Sequence, residues 1–573
     1  MPTANFIAWA AKKNTQKVIA LTMSPMQVAT ATPLTLYLSD HGGQWDDAHN
    51  WIANVISVPT VSRTADSLAY GKSLLDGGTV EIIFDRSKTM DPSSSVTWAD
   101  LLTPGAYAFY GHPISILIGG PDLAWADWEV VVDGYMGQPS RSDSNAISFK
   151  LYTKAETIAA IQVPPRAYGD AGDFPARANS TAYALGFLAR PAVANGYFYE
   201  CTTAGTSGGS PPTWNTTPGG TTADGGVTWT TRLIPDSTTG KAKPLVWGAV
   251  QNWSPILIDA ASHLYQFHDD QCGPVNSLVT VYKDGLATAS GFTSNTTYGW
   301  IKFTSDPQGT ITVDFQGRKV SGTYISKPGD IASDLLQTFG GVAAGDLVAA
   351  DFTAYNTDVP YTVGLGLDAK NSLSSVMDSL LMGLLSIWGN NRSGDWTISR
   401  IKPASGSPVM SFSQTEILDC DVMPSGGEDD ADGVLAWKVS LTADHNWTVI
   451  SSPAATVSED RKTWLKDPSR SRSAENAAIK TTYPLAKEEG PHDTCLASLA
   501  DAATVAGWWL ALYGTQRYLV TVESKLQPMS VELGNVVSVE SERFSLPAGT
   551  LGTVLKIEES YGDQARMRLG VMV

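Results

Sequence analysis

From Lys17 to about Thr157, apolar side chains recur at alternate positions in short runs. These are Leu34-Thr35-Leu36-Tyr37-Leu38, Thr79-Val80-Glu81-Ile82-Ile83-Phe84, Ile114-Ser115-Ile116-Leu117-Ile118, Trp128 to Val132, and Ile147-Ser148-Phe149-Lys150-Leu151. Successive side chains of a strand point to opposite faces, so each run predicts a strand with one face in a core. The Gly, Pro and Asp residues between runs supply turns. A small β-barrel or sandwich over residues 1–165 is the expectation.

Further on the period changes twice. Residues 240–322 predict more strands, among them Ser277 to Tyr282, followed by the turn Lys283-Asp284-Gly285, and Gly309 to Phe315. Residues 323–410 predict an α/β unit. Pro328-Gly329-Asp330 opens a helix carrying Ile331, Leu335, Leu336 and Phe339 on one face and stopping at Gly340-Gly341. Ser372 opens a second helix, through Val376, Leu380, Leu381, Leu384 and Leu385 to Trp388-Gly389, and a strand with Trp396, Ile398 and Ile401 follows. Residues 411–573 return to strands: Trp437 to Leu441, Arg517 to Val522, Glu532 to Val539, Gly552 to Ile557, and Ala565 to Val573. One helix, through Ala497, Ala500, Val505, Trp508, Trp509 and Leu512 to Gly514, interrupts them.

Residues 183–232 have a different chemistry. Between Asn195 and Arg232 there are eleven Thr and eight Gly, with only Glu200, Asp224 and Arg232 charged, and Tyr197, Phe198, Tyr199, Trp214 and Trp229 supply the apolar groups. So small an all-β unit must lean on its host or use its aromatics as a miniature core. Exposed rings could instead pack on the C–H faces of sugars while Thr, Asn and Asp bond the hydroxyls. Trp214, Tyr197, Tyr199 and Trp229 are the candidate contacts, with Trp214, after Pro211-Pro212, expected to be the exposed one.

Composition fits this reading. The chain has 573 residues, 17% of them charged, with 52 Gly and 32 Pro, which suits a β-rich multidomain protein of short strands and turns. A net charge of −18, with no dense basic run, argues against a duplex-binding surface, which needs clustered Lys and Arg; it suits a conduit through which DNA slides without sticking, and equally an ordinary acidic protein. Lys12, Lys13 and Lys17 precede an apolar run that ends at Ser24-Pro25, short of a signal peptide, and no window reaches a membrane span.

Candidate chemistry is thin. His263, His268, Asp269, Asp270 and Cys272 are the densest set of potential ligands but lack the spacing of a zinc site. The run Glu428, Asp430, Asp432, Gly433 resembles half a calcium loop, and Val439 stands where the closing carboxylate is required. His492, Asp493 and Cys495 crowd one helix start and cannot form a relay. Cys201, Cys272, Cys420 and Cys495 lack Cys-x-x-Cys spacing and read as buried free thiols. No catalytic residue, metal or cofactor is expected, and no carboxylate pair is singled out for sugar hydrolysis.

The stretch Lys243-Pro244-Leu245-Val246-Trp247-Gly248, then Pro255-Ile256-Leu257-Ile258-Asp259 and Tyr265-Gln266-Phe267-His268-Asp269, resembles the middle of baseplate-hub or tail-tip proteins of long-tailed bacteriophages. Further likenesses follow in the family's order. They are Asp76-Gly77-Gly78-Thr79, Gly111-His112-Pro113-Ile114-Ser115-Ile116, an inexact Gly134 to Gly137, His445-Asn446-Trp447-Thr448, and Leu533-Gly534-Asn535-Val536-Val537, where Asn535 replaces the family's Asp. The insert, with Gly196-Tyr197, Pro212-x-Trp214 and Asp224-Gly225-Gly226-Val227-Thr228-Trp229, is similar to small carbohydrate-binding modules of the chitin-binding type.

The resemblance implies two tail-tube-like β-barrel domains, an α/β domain and a small all-β insert. It also implies a non-enzymatic homotrimeric ring in the virion tail tip, assembled in the bacterial cytoplasm. Its partners would be a distal tail or tube protein, the tape-measure protein, other tail-tip and fibre proteins, a host glycan, and DNA passing without specific binding. Some such proteins carry a cysteine-ligated iron–sulfur cluster. The competing class is a cell-wall or polysaccharide hydrolase carrying a carbohydrate-binding module.

Overall fold

The computed structural model of the chain describes residues 2–12, 15–65, 73–76, 78–83, 96–141, 146–170, 172–425, 434–561 and 565–573. Lys13, Gly77, Phe84 and the acidic run from Glu428 to Gly433 lie outside the described residues. The protein is β-rich, 41% strand against 17% helix, and is divided among many sheets.

The first barrel runs in the order Ile52–Ala53, Leu36–Ser39, Val18–Met23, Pro113–Gly119, Glu129–Met136, Ala146–Tyr152, Thr79–Ile83, Val55–Ser57. Its two ends are one stretch of chain, kinked at Asn54. The Asn54 amide donates to Ser39 O (2.9 Å) on one side, and its carbonyl accepts from Ile83 N (2.7 Å) on the other. The half before the kink pairs parallel with its neighbour and the half after it antiparallel. Along Val18–Met23, Ile19, Leu21 and Met23 enter the core, whereas Val18 and Ala20 face outward beneath Trp51 and Trp128.

A second sheet runs Met410–Phe412, Val536–Ser541, Leu546–Ser560, Arg566–Met572, Arg517–Ser524, Asp419–Ser425. Here too the outer strands are consecutive in sequence. Met410–Phe412 pairs parallel with Val536–Ser541, and Asp419–Ser425 pairs antiparallel with Arg517–Ser524. The two barrels lie side by side and contribute to one continuous cluster of buried apolar residues. The hairpin Val61–Ala65/Ser73–Asp76 leaves the first barrel and adds to the long strand of the second, Thr64 facing Lys556 and Val61 facing Glu559.

Between the barrels, Leu245–Trp253 pairs with Ile311–Val320 on one side and Gly364–Leu367 on the other. Gly248 adopts φ +64°, and a Cβ there would fall 1.7 Å from Val363 O, so this position takes only glycine. The helices Pro328–Asp334, Ala349–Asp358, Leu373–Leu381 and Leu499–Tyr513 pack in a second core with Leu245, Trp247 and Leu365.

The helix opened by Ser372 begins as expected, with Ser375 N donating to Ser372 Oγ (3.2 Å), but it ends at Leu381 rather than at Trp388. Gly383 at φ +73° turns the chain, and its carbonyl accepts from Trp509 Nε1 (2.8 Å). Ser386–Asn390, with Trp388, is then a strand paired to Trp396–Arg400. The short helices Ala4–Ala11, Ala349–Asp358 and Glu459–Lys466 were not legible as periodic runs. Among the described residues no helix is long and apolar enough to cross a membrane.

Candidate functional site

The insert is a four-stranded antiparallel sheet, Leu188–Ala189, Phe198–Thr203, Val227–Arg232, Thr221–Asp224. Its last hairpin turns at Gly225-Gly226. Gly225 sits at φ +64°, where an added Cβ would meet Thr206 O at 2.6 Å. Asp224 organises that end, accepting from Arg177 Nε (2.9 Å) and Nη2 (2.7 Å), Trp229 Nε1 (3.0 Å) and Gly208 N (2.8 Å). Burial alone would raise its pKa; the bonds from Arg177 and Trp229 outweigh it and hold the carboxyl below the usual range.

The four aromatic candidates separate into two pairs. Tyr199 and Trp229 are fully buried and form the miniature core with Tyr183, Cys201 and Val227. A ring with no exposed face cannot stack on a ligand, so these two are corrected from contact residues to core residues. The reason is strand register: both point inward from the central pair of strands, where Cys201 opposes Trp229.

Trp214 and Tyr197 are half-buried and pack against that core from its rim. The Trp214 ring lies 4.2 Å from that of Tyr199 and 6.0 Å from that of Trp229, centroid to centroid. Around them Asn195 Nδ2 donates to Tyr199 Oη (2.8 Å), and Asn215 Oδ1 accepts from Thr217 N (2.9 Å). The surface thus pairs an anchored indole with amide and hydroxyl groups. Burial pushes the Cys201 thiol up to about 11.

The insert also leans on its host, as its size requires. Phe198 stacks on Phe174 at 4.5 Å, and Trp300 Nε1 donates to Gly186 O (2.9 Å). Glu200 receives Arg232 Nε (2.9 Å) and Lys302 Nζ (2.9 Å). This contact joins the insert to the sheet carrying Ile256–Asp259 and Trp300–Phe303.

The dense polar set beside the insert holds a cation of the protein's own. The ammonium of Lys243, fully buried, lies between Asp270 and Asp269 (3.2 Å to the latter) and donates to Asp173 O (2.6 Å). Arg166 Nε adds a second bond to Asp269 (2.8 Å), and its Nη2 approaches Cys272 Sγ at 2.8 Å. Burial, with Asp269 adding to it, pushes the Cys272 thiol up to about 12. Among the described residues no group of three or more His, Cys, Asp or Glu side chains is placed to hold a metal.

His268 is fully buried in the same region, its Nδ1 accepting from Val246 N (3.2 Å). Burial lowers its pKa to about 4. The unfolded chain takes up this proton near pH 6.5 and the folded one only near 4. The histidine's stability contribution is therefore intact above 6.5 and is lost progressively between 6.5 and 4. At about 1.4 kcal/mol for each tenfold weakening of proton affinity, the whole contribution is a few kcal/mol. His268→Asn, which keeps an acceptor for Val246 N, is expected to flatten the stability–pH curve across that window, measured by urea denaturation.

No protein-family model and no curated protein matches the chain. Among solved structures it is similar to the tail protein from Neisseria meningitidis MC58, at 7% identity and TM-score 0.37 over 97% of this chain and 96% of that one. It is also similar to the 43 kDa tail protein of prophage MuSo2 from Shewanella oneidensis, at 9% identity and TM-score 0.36 over 97% and 98%. A chain of the native gene transfer agent virion matches at 12% identity and TM-score 0.37, over 60% of this chain and 87% of that chain.

Proposed function

We propose that the protein is a structural component of a phage tail, the hub of its tip, in which three copies close a ring around the DNA path. One observation carries this reading: two barrels in a single polypeptide, packed side by side, share one closing device. In each, consecutive stretches of chain pair parallel with one edge and antiparallel with the other. Two similar units per chain, repeated threefold, offer six similar surfaces to a sixfold tube, and a closed ring is the ordinary outcome of such heterologous contacts. The acidic chain would line a passage to which DNA does not stick.

Within this reading residues 1–165 and 411–573 carry the barrels, 240–322 and 323–410 join them, and 183–232 reaches outward. The partners would be the tube or distal tail protein above, the tape-measure protein, and other tip or fibre proteins. Imaging of the purified chain, with its mass measured under native conditions, tests the proposal: a threefold ring supports it, and a monomer at all concentrations up to those of assembly overturns it.

The insert is proposed to bind host-surface glycan through Trp214 and Tyr197. Each stacked ring contributes about 1 kcal/mol, so useful affinity comes from the copies in the ring acting together. Trp214→Ala is expected to reduce retention of assembled particles on chitin oligosaccharides severalfold while leaving unfolding of the chain within about 1–2 kcal/mol of the parent. Trp229→Ala should instead unfold the insert, at about 3–5 kcal/mol. Equal retention by Trp214→Ala particles would remove the glycan role.

The hydrolase reading has one feature in its favour. A cleft of about 500 Å³ is lined by Asp351 and Glu532, and burial together with the nearby Glu532 raises the pKa of Asp351, as an acid catalyst requires. Clearing of a peptidoglycan suspension by the chain, lost in Asp351→Asn, would establish that activity in place of the purely structural role.

A further inference from the structure

The seam between the two barrels holds a cleft of about 840 Å³ whose polar wall is cationic, in a chain of net charge −18. Two of its cations are unusual. Lys17, which precedes the first barrel's strand Val18–Met23, and Lys525, which follows the second barrel's strand Arg517–Ser524, have no carboxylate partner among the described residues. Among the described residues each ammonium reaches a backbone carbonyl alone, Lys17 that of Ala565 (3.5 Å) and Lys525 that of Lys12 (3.3 Å). The other cations of the lining are already neutralised: Lys12 pairs with Asp122 (3.1 Å) and Arg566 with Glu523. Among the described residues the lining has one carboxylate, Asp40, which accepts from Ile19 N (2.9 Å) and stands beside His41 (3.1 Å).

Two half-buried ammonium groups brought together by strands from opposite ends of the chain repel each other. Burial, and then the charge of Lys525, lowers the pKa of Lys17. Such an arrangement weakens the protein unless something negative occupies the gap. The apolar part of the lining says what kind of anion fits. Ile56 and Leu418, each 50% exposed, line the same cleft. A nucleic acid backbone asks for an extended basic track and meets acidic surface elsewhere on this chain. A peptide that alternates carboxylates with apolar side chains matches a lining of both kinds.

We propose that this cleft docks an acidic peptide segment of a partner protein, its carboxylates between Lys17 and Lys525 and its apolar side chains over Ile56 and Leu418. The site joins the two barrels, so occupancy ties them together. Nothing in this assignment requires the ring.

The test is fluorescence anisotropy with the full chain in dilute salt and three labelled probes: an octapeptide alternating glutamate with leucine, its glutamine–leucine analogue, and octathymidylate. The acidic peptide should bind at least about tenfold more tightly than the analogue, and the double variant Lys17→Gln/Lys525→Gln should lose at least about tenfold for it. Because the variant removes a repulsion, it should unfold at or above the parent's temperature, which separates lost binding from lost fold. Failure of the acidic peptide to bind, equal binding of the two peptides, no loss in the variant, or tighter binding of octathymidylate through the same lysines would each overturn the proposal. So would a lowered unfolding temperature, which would make the lysines structural ties to the two carbonyls.

Discussion

Glu559→Gln is expected to destabilise the junction of the two barrels by about 3–5 kcal/mol, the effect of stripping a buried charge cluster of its central partner. The Glu559 side chain is 1% exposed and accepts from Arg63 Nη2 (3.1 Å), Arg392 Nε (3.1 Å) and Nη2, and the Tyr561 hydroxyl. Arg63 comes from the hairpin that leaves the first barrel, Arg392 from the turn between Ser386–Asn390 and Trp396–Arg400, and Glu559 from the long strand of the second. The carboxylate is therefore the point at which three distant segments are held, and a neutral amide there leaves two guanidinium groups facing an uncharged centre. Arg63 and Arg392 also reach Glu532, which is partly exposed and cannot compensate fully.

The same cluster sets an acid limit. Burial would raise the pKa of Glu559, but Arg392 and Arg63 overrule it and bring it from an ordinary 4.5 down to about 2. A carboxyl whose folded pKa is depressed contributes stability that is complete above its unfolded pKa and is lost as pH falls through the folded one. The parent should lose this contribution between about pH 4.5 and 2, and Glu559→Gln should not show that part of the acid limb. Denaturant midpoints taken along the pH series, read by tryptophan fluorescence, check both statements.

What the pattern of residues discloses and what it conceals divide along sequence distance. Alternation at Thr79–Ile83 and Ile114–Ile118 marks strands because burial on one face acts within a few residues. For the same reason Ser372 marks a helix start. The closure of the first barrel at Asn54 leaves no comparable trace, since it rests on backbone bonds to Ser39 and Ile83 that any residue could make. The hairpin Val61–Ala65/Ser73–Asp76 reads as part of the first unit and pairs with the second. Arg63 with Glu559, and Lys17 with Lys525, meet only when both ends of the chain have folded. In the insert, composition points to aromatic chemistry, but which rings face inward depends on the register of Phe198–Thr203 against Val227–Arg232, and that decides against Tyr199 and Trp229.

Lys243→Met carries the second large effect, also about 3–5 kcal/mol. Removing the ammonium leaves Asp269 and Asp270 buried together, with Arg166 reaching only Asp269. Burial would lower the pKa of Lys243, but Asp270 and Asp269 raise it instead. Its contribution is therefore complete below its ordinary 10.5 and is lost only as pH rises through the higher folded value. The Lys243 ammonium also sits 4.4 Å above the ring of Phe174, which stacks on Phe198 of the insert, so the loss should propagate into that module. A double-mutant cycle separates charge from packing. If the penalty is the unpaired carboxylate, Lys243→Met/Asp270→Asn should recover more than half of what Lys243→Met loses in urea denaturation. If the double variant is no better than the single one, the lysine acts through its stem against Phe174, and the charge balance at this seam is not what holds the insert to its host.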